Sequence, residues 1–167
     1  MSSKIAIVTG GSRGLGRNMA LSLAKKGVDV ILTYNSKKAE ADEAVRQIVS
    51  SGQKACAIQL DVSDSRSFAA FAHQVKNALM EKWHRDSFDF LVNNAGSGVH
   101  STFAETTEEQ FDQMMNIHLK SVFFLTQKLL PLIKDNGRII NISSGLTRFA
   151  LPGYAAYATM KGAVGTP

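Results

Sequence analysis

Tyr157 and Lys161 stand four residues apart, late in the sequence. At that spacing two side chains share one face of a helix. A phenol has a reference pKa near 10, too high for easy proton exchange at neutral pH, and a neighbouring cation favours the phenolate. The pair is therefore a candidate proton donor, although a surface Tyr–Lys contact on a helix has the same spacing. Tyr154 has no lysine four residues on and is not a candidate. A second set of residues could hold a ligand. Thr9-Gly10-Gly11-Ser12-Arg13-Gly14-Leu15-Gly16 has the spacing T-G-x-x-x-G-x-G rather than G-x-G-x-x-G. Its glycines still permit a tight turn and let the backbone approach a pyrophosphate at a helix N-terminus. Taken alone, these residues also fit a glycine-rich turn with no ligand. His73, His84, His100 and His118 are scattered, and there is no cysteine cluster, so nothing has the spacing of a metal site.

Positioning these groups requires a scaffold, and the hydrophobic pattern supplies one. Lys4 to Thr9 is a near-continuous apolar run, as in a strand buried on both faces. Gly14 to Lys26 reads as a helix with Leu15, Met19 and Leu23 inward, stopped at Gly27. Strands over Val28 to Tyr34, Lys54 to Leu60, Phe88 to Asn93 and Gly137 to Ser143 alternate with helices. One helix covers Lys37 to Ser51, and another, capped by Ser63 or Asp64, runs to about Trp83. A long helix opens at Thr107, whose spacing to Gln110 fits a capping box, and runs to about Lys134. A last helix begins near Tyr154. This alternation predicts an α/β, Rossmann-like doubly wound parallel sheet of five strands, in a single domain over residues 1–167. The order 3-2-1-4-5-6 of such folds uses six strands. Ser143 and Ser144 then end strand five, at the sheet edge where open α/β sheets bind ligands.

Composition narrows the class. The chain has 167 residues, of which 44% are hydrophobic and 20% charged, which fits one globular domain and not a disordered chain. Cys56 is the single cysteine, so no internal disulfide forms and a reducing, cytoplasmic setting is expected. The longest apolar runs, Ile5 to Val8 and Val122 to Leu125, fall far short of the roughly 20 residues that span a membrane. The net charge is +5, yet no basic run exceeds two residues. Lys4, Arg13, Arg17, Lys25 and Lys26 precede the first acid, around the glycine loop. That placement suits a small phosphate ligand better than a nucleic acid.

The glycine loop, Asn93-Asn94-Ala95-Gly96 after the fourth strand and Tyr157-Ala158-Thr159-Met160-Lys161 come in this order on these elements. Together they resemble the short-chain dehydrogenase/reductase family, especially carbonyl reductases of the 3-oxoacyl-carrier-protein reductase type. The resemblance implies hydride transfer between a nicotinamide cofactor and a small ketone, aldehyde or secondary alcohol. It implies that Gly10, Ser12, Arg13, Gly14, Leu15 and Gly16 cradle the cofactor. Strand two leads into Asn35-Ser36-Lys37-Lys38, with no acid before Glu40. In such folds an acid there grips the ribose of NAD, and a nearby base accommodates the 2′-phosphate of NADP. Arg13 stands where NADP-preferring members place a base, with Asn35 and Ser36 as further donors, so NADP(H) is expected in preference to NAD(H). By the same resemblance Asp61 and Val62 contact the adenine. Asn93 braces the central strand against the loop, with Ala95 and Gly96 beside the cofactor. Tyr157 protonates the carbonyl, and Lys161 assists it and reaches the nicotinamide ribose. Ser144, thirteen residues before Tyr157, orients the substrate carbonyl.

One position departs from the family pattern. The family's catalytic asparagine in the long helix is replaced by His118, and Asn116 lies more than a third of a turn away. His118 falls near the centre of a stripe formed by Phe111, Met115, Val122, Leu125 and Leu129. Two readings stay open, a packed helix residue or a member of the proton relay. Met114, Met115, Phe103, Phe123 and Phe124 read as core or interface, and Trp83 and Cys56 as packing residues. The family assembles as dimers or tetramers through its two long helices, an assembly put in doubt here by the short second helix. Its chains run roughly half as long again. The sixth strand and the substrate wall are therefore expected beyond Pro167, with Gly165-Thr166-Pro167 ending a shortened helix. A nucleotide-binding fragment with little catalysis is the alternative.

Overall fold

The computed structural model describes residues 3–165. Thr166 and Pro167, expected at the end of the last helix, lie outside the described residues. Strands β1 (Lys4–Val8), β2 (Val28–Tyr34), β3 (Ala55–Gln59), β4 (Phe88–Asn93) and β5 (Ile133–Asn141) form one sheet, ordered β3-β2-β1-β4-β5. Every neighbouring pair is parallel. Residues Ile5 to Val8 are fully buried because both sheet faces are covered. Along β1 the side chains alternate. Ile5 and Ile7 pack with Phe68, Phe71, Val75 and Leu79 of α3 (Phe68–Trp83). Val8 packs instead with Ala20 and Ala24 of α1 (Gly14–Lys25) and with Ala41 and Ala44 of α2 (Lys38–Ser50).

The small residues on α1 and α2 correct one expectation. Gly16, Ala20 and Ala24 form the buried face of α1, while Met19 and Leu23 are half-buried and Leu15 is 71% exposed. A helix lying close to the sheet takes small side chains at the contact and leaves the large ones at its flanks. The caps are as the sequence spacing requires. The Thr107 hydroxyl accepts from the Gln110 N–H, and the Gln110 side chain accepts from the Thr107 N–H, a complete capping box for α4 (Glu108–Met115). Asp64 rather than Ser63 caps the turn into α3, accepting from the Arg66 N–H.

The long helix is not regular. Asn116–Lys120 wind as a π-helical turn between α4 and α5 (Ser121–Leu129). The wider turn rotates the stripe, so the buried residues are Met114, Ile117, His118, Ser121, Leu125 and Leu129. Phe111 is exposed, and Met115 and Val122 are half-buried. The helix also ends earlier than Lys134. Leu130–Leu132 close it with a single 3₁₀ turn containing Pro131, which cannot continue a helix. The chain then enters β5 at Ile133. Its pairing with β4 is interrupted before Arg138, where Asn136 has φ 64°. Beyond Asn141 the chain leads through a 3₁₀ turn at Gly145–Thr147 to α6 (Ala155–Val164), which packs on α4 and the π-turn through Met114, Ile117 and Met160. Among the described residues no helix is long and apolar enough to cross a membrane.

The strand order reverses at β1, whose neighbours β2 and β4 are reached in opposite directions. At such a switch point the loops leaving the carboxyl ends of the strands diverge and open a crevice.

Candidate active site

A cleft of about 730 Å³ occupies that crevice. One wall is the glycine loop between β1 and α1. Gly10 has φ 65°, and a Cβ there would come within 2.9 Å of the Ala95 backbone. A Cβ on Gly16 would meet the Gly10 carbonyl oxygen at 2.2 Å. Only glycine lets the loop close on itself and on the segment after β4. The loop is held by the Gly10 N–H donating to the Thr33 hydroxyl, 3.0 Å, and the Gly11 N–H donating to the Thr33 carbonyl, 2.9 Å. α1 starts at the cleft with no side-chain cap and no acid in its first turn. Its first N–H groups and the helix dipole therefore favour an anion.

The two asparagines after β4 divide their work differently from the sequence expectation. Asn93 is buried and donates to the Thr126 hydroxyl, 3.0 Å, and to the Asn141 side-chain oxygen, 2.9 Å. It ties β4 to α5 and β5 and does not line the cleft. Asn94 braces the loop. Its side chain donates to the Thr9 carbonyl at 2.9 Å, and its N–H donates to the Thr9 hydroxyl at 2.9 Å. Successive side chains point to opposite sides of an extended segment, so the bracing passes to the neighbour. The sequence motifs assign no such role to Asn94, Thr9 or Thr33. The signal for them was polar residues at the carboxyl ends of adjacent strands.

The other predicted cofactor residues meet along the cleft. Ser12, Arg13, Gly14, Leu15, Gly96 and Ala95 line it, as do Asn35, Ser36 and Lys37 at the end of β2. Asp61 and Val62 line it below β3. The Asp61 carboxylate accepts from the Ser63 N–H and hydroxyl, 2.9 and 2.7 Å, which holds it in place.

At the far end stand Tyr157, Lys161 and His118. The Lys161 ammonium lies 5.8 Å from the centre of the Tyr157 ring, confirming the shared helix face. Lys161 is buried, and its Nζ donates to the Ile142 carbonyl at 2.7 Å. Burial pushes its pKa down from the ordinary lysine value. His118 is 1% exposed, and its ring meets that of Tyr157 edge-to-face at 5.0 Å. Burial, helped by the Lys161 charge and opposed by a hydrogen bond to Ser97, pulls the His118 pKa down. Asn116 is only half-buried on the same turn. The serines are distinct. Ser143 lines the cleft, but its hydroxyl donates to the Lys161 carbonyl at 3.0 Å. Ser144 lies just outside that lining and accepts from the Leu146 N–H at 3.2 Å, which leaves its own O–H for another acceptor. Tyr154, whose spacing gives it no lysine partner, lines the cleft and packs edge-on against His100, 5.2 Å between ring centres.

Residues 4–166 match the family model described as short chain dehydrogenase. The chain belongs to that family. It is 33% identical over 165 residues to a hydroxynaphthalene reductase-like protein, Arp2, of Metarhizium brunneum, covering 98% of this chain and 60% of the relative. Two solved structures share the fold. The landomycin C-6 ketoreductase LanV, with bound NADP and rabelomycin, is 36% identical with a TM-score of 0.94, covering 98% of this chain and 66% of that one. A short chain dehydrogenase from Burkholderia cenocepacia, in complex with NADP, is 33% identical with a TM-score of 0.88, over 96% and 64% of the two chains. The chain thus spans about 60% of the length of the curated relatives it matches. Within this short chain dehydrogenase frame, the glycine loop, the cleft and the Tyr157–Lys161 pair lie wholly in the matched residues.

Proposed function

We propose that residues 1–167 form one nucleotide-binding domain of an NADP(H)-dependent oxidoreductase. It interconverts a ketone or aldehyde with an alcohol, in preference using NADP(H) over NAD(H). The observation that carries this reading is the single cleft joining an uncapped, acid-free helix N-terminus to the half-buried Tyr157 and the buried Lys161 and His118. The donor set fits a phosphorylated dinucleotide. Arg13, Asn35, Ser36 and Lys37 suit the 2′-phosphate, the first turn of α1 suits the pyrophosphate, and Asp61 suits the adenine amine. That LanV and the Burkholderia enzyme are solved with NADP supports the assignment.

A reduced nicotinamide held there would supply hydride to a carbonyl carbon. Tyr157 gives its phenolic proton to the carbonyl oxygen as charge develops there. Lys161, beside the ring, stabilises the charge left on the tyrosine and holds the ribose. Ser144 uses its uncommitted O–H to hold the same carbonyl oxygen. The exposed Phe123 and Phe124 on α5 support assembly with a second copy, and the lone Cys56 supports a cytoplasmic setting. The second reading is a nucleotide binder with weak turnover.

Titration with NADPH and NADH, followed by a panel of aromatic and aliphatic carbonyls, separates the two. Tyr157→Phe should retain NADPH affinity within about threefold and lose about 10²–10⁴-fold in turnover, the usual contribution of a general acid. Tight NADPH binding with no carbonyl consumed would favour the second reading.

A further inference from the structure

His118 contacts three parts of the molecule at the reacting end of the cleft. It sits on the π-turn, touches Tyr157 of α6, and reaches Ser97 in the loop after β4. Its Nε2 lies 2.6 Å from the Ser97 carbonyl oxygen and 3.4 Å from the Ser97 N–H. A carbonyl can only accept, so the short contact requires the proton on Nε2. With Nε2 bare, two lone pairs would face each other at 2.6 Å, and the longer N–H contact could not compensate. Nδ1 then carries the lone pair. It is buried and has no hydrogen-bond partner among the described residues. The chain makes room for this ring at one place. A Cβ on Gly96 would come within 2.7 Å of the imidazole Cε1 and 3.3 Å of Nδ1. Tyr157 and Lys161, both from α6, are the titratable groups that face the ring. Neither accepts a hydrogen bond from Nδ1: Tyr157 meets the ring edge-to-face, and Lys161 is a donor already bonded to the Ile142 carbonyl.

We propose that His118 is a positioning residue. As its neutral Nε2–H tautomer it latches the Gly96–Ser97 loop to the reacting end of the cleft and sets the orientation of the Tyr157 ring. The bare Cα of Gly96 leaves the space that the imidazole occupies, so the two positions are sterically coupled. The latch works through Tyr157 and the loop and transfers no proton to substrate. Its role in turnover rests on the reductase reading, but its geometry does not.

The test has one arm that needs no turnover. ¹⁵N NMR of the imidazole in the full chain should show a protonated Nε2 and a bare Nδ1 at neutral pH. Gly96→Ala should lower the thermal midpoint with His118 present and have little effect in His118→Asn, where the shorter side chain vacates the space. In the second arm, His118→Asn should lower kcat by about 10-fold to 100-fold, as misplacement of about 1 Å does. The KM for NADPH should stay within about threefold. His118→Gln, whose amide N–H reaches the same carbonyl, should recover part of the loss. A protonated Nδ1, or Gly96→Ala equally costly in both backgrounds, would overturn the latch. So would equal losses in kcat for the Asn and Gln variants. If no carbonyl is reduced at all, the reductase reading fails while the tautomer and the Gly96 cycle still decide the latch.

Discussion

Arg13 lies at the mouth of the cleft, opposite the Asn35-Ser36-Lys37 end of β2, where a NAD-selective site would carry an acid. A charge-assisted hydrogen bond contributes about 1.5–3 kcal/mol, which is tenfold to more than a hundredfold in affinity. Arg13→Ala should therefore weaken NADPH binding by about 10-fold to 100-fold and change NADH binding by less than about threefold. Fluorescence titration with both nucleotides reads the difference directly, and equal loss for the two would remove Arg13 from the 2′-phosphate. His118 makes a different kind of prediction. Its pKa in the folded chain lies below the ordinary value of 6.5, chiefly because of burial. Between the two values the unfolded chain binds a proton that the folded chain does not. Stability from this group is therefore present above the unfolded pKa and is lost as pH falls from about 6.5 through the folded value. Thermal midpoints should fall on acidification below pH 6.5, by less in His118→Gln than in the parent protein.

Among the elements, the segment after β4 shows what the sequence can and cannot convey. The five strands, their parallel pairing and the cleft at their carboxyl ends follow from apolar runs, glycines and caps, all local signals. The π-turn at Asn116–Lys120 does not, because nothing in Asn-Ile-His-Leu-Lys breaks the helical pattern; packing of α6 against that turn accompanies it. The family pattern still points to His118, which lines the cleft. The apolar stripe around it was misread, because a single extra residue in the turn shifts every position before it. The choice between Asn93 and Asn94 was also illegible, since two adjacent asparagines look alike until the direction of each side chain is known. Their separation is testable. Asn94→Ala frees the Thr9 carbonyl and loosens the glycine loop, so NADPH affinity should fall by about tenfold, the worth of a hydrogen bond of about 1.5 kcal/mol. Asn93→Ala removes a buried amide and its two bonds, to the half-buried Thr126 hydroxyl and to the side chain of the exposed Asn141. It should cost about 1–3 kcal/mol in urea unfolding while NADPH affinity stays within about threefold.

Across the whole molecule, chemistry and stabilisation sit at opposite edges of the sheet. The cleft lies at the carboxyl ends of the strands, and a polar network ties together their amino ends. Asp29, at the start of β2, is 3% exposed and accepts from the Trp83 indole N–H, the Lys54 N–H and the Ser3 hydroxyl. Nearby, Asp89 accepts from the Ile5 N–H at 2.9 Å and from Arg85 at 3.3 Å. From Asp29 to Asn35 is a run of six residues, about 20 Å along a strand. Asp29→Ala strands the buried indole N–H of Trp83, at about 1–3 kcal/mol, and removes the bond to the N–H of the exposed Lys54, at about 0.5–1.5 kcal/mol. For a chain of this length each kcal/mol moves the midpoint by about 2–4 °C, so the variant should melt about 3–18 °C lower. If the two edges are energetically separate, its NADPH affinity is unchanged. NADPH at 100 times its Kd should then raise the stability of parent and variant by the same increment, about 2.7 kcal/mol. A smaller increment in the variant would mean that the network at the amino ends of the strands also sets the geometry of the glycine loop, coupled through the length of β1 and β2.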